Sequence, residues 1–94
     1  MTNNIKQFLV KESNIDVLVH IYRNNSETYV SKIATQIDLS RQGVQNKVNT
    51  MHDLELLTKE DEAGTQLLSV TDRGEELARE FERLNRVFRE VERG

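Results

Sequence analysis

Side-chain amides are concentrated in one short stretch of the chain, directly after Arg41. At about 100° per residue in a helix, these amides share one face, opposite the apolar residues Val44, Val48 and Met51. An amide places a donor beside an acceptor, which matches the major-groove edge of adenine, and arginine matches guanine in the same way. The face has the chemistry to bind base edges, although an ordinary polar surface is the alternative. Its amides are Gln42, Gln45, Asn46 and Asn49.

Residues around this stretch could bind the sugar-phosphate backbone of a nucleic acid. Ser31 and Lys32 begin a preceding helix, whose first N–H groups attract phosphate, although Lys32 could equally be a solvated surface lysine. Ser40 can cap the amide-bearing helix. With two further residues in predicted strands, the sequence predicts ten contact residues: Ser31, Lys32, Ser40, Arg41, Gln42, Gln45, Asn46, Asn49, Lys59 and Thr65.

No group of residues has the spacing of a catalytic or metal site. His20 follows Asp16 by four residues, and without a nearby nucleophile or metal ligand it is interpreted as half of a surface pair. His52 comes late in the amide-bearing helix, where a cation suits the helix dipole. The acidic run 60–62 lacks calcium-loop spacing, and the chain has neither a glycine-rich phosphate loop nor a cysteine. We therefore expect no enzyme activity, no metal and no cofactor.

Apolar periodicity and turn-forming residues define the elements that would position these side chains. Residues 1–12 fit a short helix or a short strand, and the helix is favoured. A helix capped by Ser13 and ending near Asn24 is apolar on most sides, which predicts a central place in the core. The later elements are predicted as helices at 30–37 and 41–55, strands at 56–60 and 65–70 around a turn at 61–64, and a helix from Thr71 to Arg93.

Three helices, a two-stranded hairpin and a long helix form a winged helix-turn-helix, mainly α with a small β-hairpin. The 94 residues suit one domain, 1–94, with the helix-turn-helix and wing in 13–71 and the long helix in 72–93. The net charge of −3 argues mildly against nucleic acid, but residues 28–49 carry three cations and one anion. The acidic excess lies in residues 53–62, with five anions and one cation. Without a signal-peptide or membrane-spanning pattern, we expect a soluble cytoplasmic protein.

Two segments resemble MarR-like and related archaeal or bacterial winged-helix regulators. Residues Ile33 to Val44 look like the family's helix-turn-helix, with an alanine packed between the two helices and a valine that anchors the second. The run Val70-Thr71-Asp72-Arg73-Gly74-Glu75-Glu76-Leu77 resembles the family's L-T-x-x-G-x-x-L exit from the wing, and the likeness covers roughly residues 14–80. Asp38 replaces the usual turn glycine and should tolerate a left-handed conformation. Asp61-Glu62 replaces a basic wing tip and would be repelled by DNA.

The last helix carries apolar residues spaced alternately by four and three, which is a heptad seam on a helix about 30 Å long. Packing on its own domain is the alternative, but pairing with a second copy, parallel or antiparallel, is favoured. The resemblance also implies that small molecules could bind at the dimer junction, for which this chain shows no pocket signature. The predicted dimer-interface residues are Leu77, Phe81, Leu84, Phe88 and Val91.

The resemblance implies a transcriptional regulator that binds double-stranded DNA through the amide-bearing helix, the recognition helix. A two-fold dimer would present two such helices to a palindromic site with half-sites about one helical turn apart. We therefore expect a homodimeric regulator, most simply a repressor that occludes a promoter. Two alternatives stay open. A winged-helix module that binds protein would suit the acidic charge, and an architectural or plasmid-partition protein would bind DNA without sequence preference.

Overall fold

The computed structural model describes residues 4–11 and 13–94. The elements in chain order are α1 (Asn4–Leu9), α2 (Asn14–Arg23), α3 (Val30–Ile37), α4 (Arg41–Asp53), β1 (Leu57–Glu62), β2 (Thr65–Val70) and α5 (Asp72–Arg93). The two strands form an antiparallel hairpin. This order confirms the predicted winged helix-turn-helix. Within the described ranges, no helix is both long and apolar enough to cross a membrane.

Helix α2 lies at the centre of the core, as its two apolar stripes predict. Its Val17, Leu18 and Ile21 are completely buried, and α2 contacts α3, α4, α5 and β2. Burying a side chain of this size stabilises the fold by about 1.5–3 kcal/mol. The other buried apolar side chains come from α1, α3, α4, the hairpin and α5, and include Leu9, Ile33, Val44, Val48, Met51, Leu57, Leu68 and Ala78.

Residues 4–9 form a helix, as the apolar spacing favours, and residues 1–3 and 12 of the predicted segment lie outside the described residues. The predicted capping role of Ser13 is wrong: Ser13 holds the N-cap position, but its side chain makes no capping hydrogen bond to the described residues. Its φ of −97° and ψ of 19° differ from the extended backbone of a capping residue, because the chain turns directly out of α1. The buried Asn14 closes this joint instead, since its Nδ2 donates to the carbonyl oxygen of Phe8 at 2.6 Å.

The turn between α3 and α4 sets the angle between these two helices. Asp38 adopts the left-handed conformation, with φ 64° and ψ 51°, as predicted for a residue that replaces glycine. The N–H of Leu39 then donates to the carbonyl oxygen of Ala34 at 2.9 Å. Oγ of Ser40 accepts from the N–H of Gly43 at 2.9 Å, which confirms the predicted cap of α4.

Helix α4 ends at Asp53, two residues earlier than predicted. Glu55 has a positive φ of 64°, and its N–H donates to the carbonyl oxygen of His52 at 3.0 Å. The N–H of Leu56 donates to the carbonyl oxygen of Met51 at 2.9 Å. These two bonds form a Schellman motif, which usually places glycine at the left-handed position. A glutamate there gives no such signal in the sequence.

The hairpin is longer, and its turn tighter, than predicted. Strand β1 extends to Glu62, and only Ala63 and Gly64 lie between the strands, with φ of 52° and 84°. Two central residues with positive φ are typical of a type I′ turn, whose twist matches a hairpin. Alanine rarely adopts this conformation, so the residue types did not predict a two-residue turn at this position. Asp61 and Glu62 are strand residues, and the predicted acidic wing tip is wrong because the tip itself is neutral.

Helix α5 begins as predicted, since Oγ1 of Thr71 accepts from the N–H of Gly74 at 3.1 Å. Gly74 is buried, and a side chain there would meet the carbonyl oxygen of Leu56. One turn later Ala78 is completely buried. From residue 83 onward, nearly all side chains of the helix are exposed. The first half of α5 therefore belongs to the core, and the second half projects beyond it.

His20 is partly buried beside α3 and α5 rather than on the open surface. The predicted Asp16–His20 pair is wrong, because the buried Nε2 of His20 has no hydrogen-bond partner among the described residues. The ring lines a cleft of about 320 Å³ together with Arg23. Burial lowers the pKa of His20 below its usual 6.5, and the charges of Lys32 and Arg23 lower it further.

The stability of the fold should fall as the pH drops below 6.5. In that range the unfolded chain protonates His20 more readily than the folded chain, so linkage favours unfolding. His20→Gln should flatten this part of the pH dependence, measured by chemical denaturation between about pH 7.5 and pH 5.5. An equal loss of stability in the variant would contradict the assignment to His20.

Candidate nucleic-acid interface

Helix α4 presents its polar face to solvent, as predicted. Val44, Val48 and Met51 are completely buried and attach the helix to the core. The side chains on the opposite face are exposed or half-buried: Gln42, Gln45, Asn46 and Asn49. The buried stripe therefore holds the amides outward on a regular element.

The amides bond to one another along the helix. Nε2 of Gln42 donates to Oδ1 of Asn46 at 2.9 Å. Nε2 of Gln45 donates to Oδ1 of Asn49 at 3.0 Å, and the same oxygen accepts from Nζ of Lys59 in β1 at 2.8 Å. Because these bonds restrict otherwise mobile side chains, the face is partly preorganised for a ligand.

A cleft of about 430 Å³ lies between the first turns of α3 and α4 and the tip of the wing. It brings together four predicted contact residues from three elements, α3, α4 and β2: Ser31, Arg41, Gln45 and Thr65. Tyr29 and Gln66 also line the cleft and were missed from the sequence. The position of Tyr29 directly before α3, where the sequence predicts phosphate contact, was a usable signal. Helix N-terminal N–H groups, a guanidinium and hydroxyls suit this cleft to a phosphate.

The other cations of this segment are less free than the sequence indicates. Lys32 is half-buried, and its Nζ lies 3.5 Å from the carbonyl oxygen of Glu27. Lys47 turns toward α2, where its Nζ donates to Oδ1 of Asn14 at 2.7 Å. Ser40 is exposed beside the start of α4. Both lysines keep their charge, since carbonyl and amide oxygens are neutral, but their side chains lie against the protein, which leaves Arg41 as the exposed cation of the three.

The acidic residues of β1 limit what the wing can contact. Glu60, Asp61 and Glu62 are exposed, and Oδ1 of Asp61 lies 3.5 Å from Nε2 of Gln66. Exposed charges act over about 8 Å at physiological salt, so these carboxylates would repel phosphate near the strand. Asp61 and Glu62 pair with Gln66 and Thr65 on the wing side of the cleft, so the geometry favours contact through α4 and the start of α3 over contact with the wing.

The second half of α5 exposes an apolar stripe. Leu84, Phe88 and Val91 are 43%, 54% and 71% exposed. Leu77 and Phe81, on the same side of the helix, pack partly against the core of the chain itself. The predicted seam thus divides into two residues that support the domain and three that form open surface. Contiguous exposed apolar side chains of this kind mark interaction surfaces.

The chain is similar to proteins of one family. A sequence model of the MarR family matches residues 10–66, whereas no curated protein sequence gives a significant match. Among solved structures, the transcriptional regulator SlyA has a TM-score of 0.81 and 17% identity, over 93% of this chain and 63% of SlyA. MepR, a transcription regulator of the Staphylococcus aureus multidrug efflux pump MepA, has a TM-score of 0.73 and 18% identity, over 95% of this chain and 65% of MepR.

Streptococcus pneumoniae FabT, solved in complex with DNA, has a TM-score of 0.76 and 12% identity, over 84% of this chain and 57% of FabT. The chain spans less than two thirds of the length of these three regulators, so the likeness establishes the shared fold. The family match covers more than half of the chain, including α2, α3, α4 and β1. With the winged-helix order of its elements, the chain belongs to the MarR family and has the fold of its transcriptional regulators.

Proposed function

We propose that the chain is a transcriptional regulator that binds duplex DNA sequence-specifically as a homodimer. The amide face of α4 carries this proposal, because a fully buried stripe holds it outward. The face borders the cleft that contains Arg41 and the start of α3. Insertion of α4 into the major groove would place the amides at base edges and the cleft at the adjoining backbone.

The apolar stripe of α5 supports the dimer. A second copy would remove Leu84, Phe88 and Val91 from water, which stabilises association by about 25 cal/mol per Å² of apolar surface. A two-fold axis through this stripe would present two copies of α4 to a palindromic site, with half-site centres about 34–36 Å apart.

A dimer on such a site would block a promoter that overlaps it, so repression is the regulatory effect that we propose. Repression by occlusion needs neither catalysis nor a cofactor. A repressor must reach the chromosome. We therefore propose that the protein acts in the cytoplasm of a cell that has no nucleus.

Selection from random genomic duplex fragments tests DNA binding directly. The purified protein would be titrated at about 150 mM salt, and the retained fragments would be sequenced. A palindrome with half-sites about 10 base pairs apart is the expected result. Retention without a shared motif would indicate architectural binding, and no retention even at low salt would contradict DNA binding.

A winged-helix module that binds protein is the second candidate. The net charge of −3 and the exposed carboxylates of β1 favour it, because both oppose binding to a polyanion. This candidate predicts that alanine substitutions on the amide face of α4 leave DNA affinity unchanged.

Alanine at both Gln45 and Asn46 should lower affinity for the selected site by about 1–3 kcal/mol for each base-reading contact, or about 5- to 150-fold. The fold should persist, because neither side chain is fully buried. Fluorescence anisotropy with the selected duplex measures the effect. Gln36→Ala, which removes an exposed amide from the far end of α3, is the matched control. Wild-type affinity in the double variant would favour the protein-binding module.

A further inference from the structure

A wing lysine sets the orientation of amides on the recognition helix. Nζ of Lys59 lies 2.8 Å from Oδ1 of Asn49. Because an ammonium group has only donors, Asn49 must turn its oxygen toward Lys59 and its nitrogen away. The same oxygen lies 3.0 Å from Nε2 of Gln45, so Gln45 must use its nitrogen for this contact. One cation thereby fixes the polarity of two successive amides.

The second amide pair on the same face lacks this constraint. Nε2 of Gln42 lies 2.9 Å from Oδ1 of Asn46. Exchanging oxygen and nitrogen in both side chains would preserve that bond with donor and acceptor reversed. No lysine or arginine of the described residues hydrogen-bonds to this pair. The two pairs therefore differ in the presence of Lys59.

The hairpin holds Lys59 in place. Lys59 pairs in register with Leu68 of β2, and Leu68 is completely buried. The N–H of Leu68 also donates to the carbonyl oxygen of Thr28 at 3.0 Å, which ties the hairpin to the segment between α2 and α3. Lys59 itself is half-buried and forms no salt bridge with a described residue. Strand β1 is thus fixed to the core by the hairpin, and its Lys59 contacts the recognition helix α4.

We infer that Lys59 determines the base preference of the helix by fixing these amides, an inference that rests on the proposed DNA binding. Gln45 keeps its Oε1 and one N–H free, the acceptor and donor that match N6 and N7 of adenine. Both lone pairs of Oδ1 in Asn49 are occupied, so only its Nδ2 hydrogens remain. Asn49 can donate to guanine or to O4 of thymine but cannot accept from adenine. Lys59 is therefore a residue that positions the amides of Asn49 and Gln45. In the bound complex, Gln45 faces an adenine.

Lys59→Met removes the cation and retains the length of the side chain. Wild-type protein should select adenine from random duplexes at the position that faces Gln45. The variant should lose that preference by about fivefold or more, whereas preferences at positions that face Gln42 should stay unchanged. Lys59→Arg retains N–H donors and should retain the preference. An unchanged preference in Lys59→Met would overturn the inference.

The salt dependence of affinity separates this role from a phosphate contact. A lysine that only neutralises a phosphate would, when removed, weaken binding to all sequences alike and reduce the log–log salt slope by about one. Lys32→Met, which removes one cation at the start of α3, is the matched control and should leave base preference unaltered. A Lys59→Met variant that lowers the slope with no change in base preference would assign Lys59 to phosphate and overturn the inference.

A measurement without DNA tests the same hydrogen bonds. In NMR spectra of the free protein, the side-chain amide groups of Asn49 and Gln45 should be more ordered than those of Gln42 and Asn46, and in Lys59→Met they should become as mobile as that pair. Those of Gln42 and Asn46 should not change. Amide groups of Asn49 and Gln45 that are equally ordered in the variant would overturn the inference. A wild-type protein that retains no duplex would overturn the proposed function instead, and the claim about adenine with it.

Discussion

Alanine in place of Gly74 is expected to lower the free energy of unfolding by about 3 kcal/mol or more. A Cβ atom there would lie 2.1 Å from the carbonyl oxygen of Leu56 and 3.3 Å from Cβ of Val70. That oxygen cannot rotate away, because it belongs to the backbone and accepts from the N–H of Thr71 at 3.0 Å. Helix α5 would have to move outward, which would weaken this bond and the packing of Ala78.

Helix propensity alone predicts the opposite sign, since alanine is favoured over glycine in a helix by about 1 kcal/mol. Gly43→Ala is the matched control, because its Cβ would meet only Oγ of Ser40, at 2.9 Å. Moving this oxygen would weaken the cap of α4 by about 1 kcal/mol, which the higher helix propensity of alanine should roughly offset. Chemical denaturation at one protein concentration measures both variants. If the Gly74 variant were as stable as the wild type, the close approach of α5 to Leu56 would not be needed for the fold.

Glutamate at both Leu84 and Phe88 is expected to convert the proposed dimer into monomers. Both side chains are exposed in the single chain, so the fold should persist. In a dimer, four carboxylates would have to lose water in an apolar interface, which costs far more than the contacts contribute. Light scattering should therefore show the molar mass falling from that of two chains to that of one, with an unchanged circular dichroism spectrum.

Arg86→Glu is the control for this pair, because it makes the same change of two charge units on the opposite side of α5. It should leave the protein dimeric. The monomeric variant should bind a palindromic site about 100-fold or more weakly, since its two half-sites are no longer engaged by one linked molecule. A wild-type protein that is monomeric, or a double-glutamate variant that remains dimeric, would contradict the assignment of the interface to α5.

Local patterns were sufficient to predict the order of the elements and the face of α4. A helix packed on one side repeats its apolar residues every 3.6 positions, so its polar face follows from its buried stripe. The caps at Ser40 and Thr71 and the left-handed Asp38 were equally predictable, because each involves only a few neighbouring residues. The matches of these features to the structure confirm the fold class.

Element ends and individual environments were less predictable. Glu55 and Ala63 adopt left-handed conformations that their types disfavour, since the surrounding chain supplies the hydrogen bonds that hold them there. The burial of His20 depends on α3 and α5, which lie far from it in sequence. Ser13 does not cap α2, because its backbone is not in the extended conformation of a capping residue.

The residue types of the amide face of α4, its separation from the apolar stripe and the heptad spacing of α5 follow from the order of residues in the chain. The contacts that these elements make with one another do not follow from that order. The contact of Lys59 with Asn49, the division of the seam at Phe81 and the tight crossing at Gly74 each join elements that only the packed core brings together. Periodicity reports which side of an element is buried, whereas the distance and angle between elements depend on the fit of all core side chains at once.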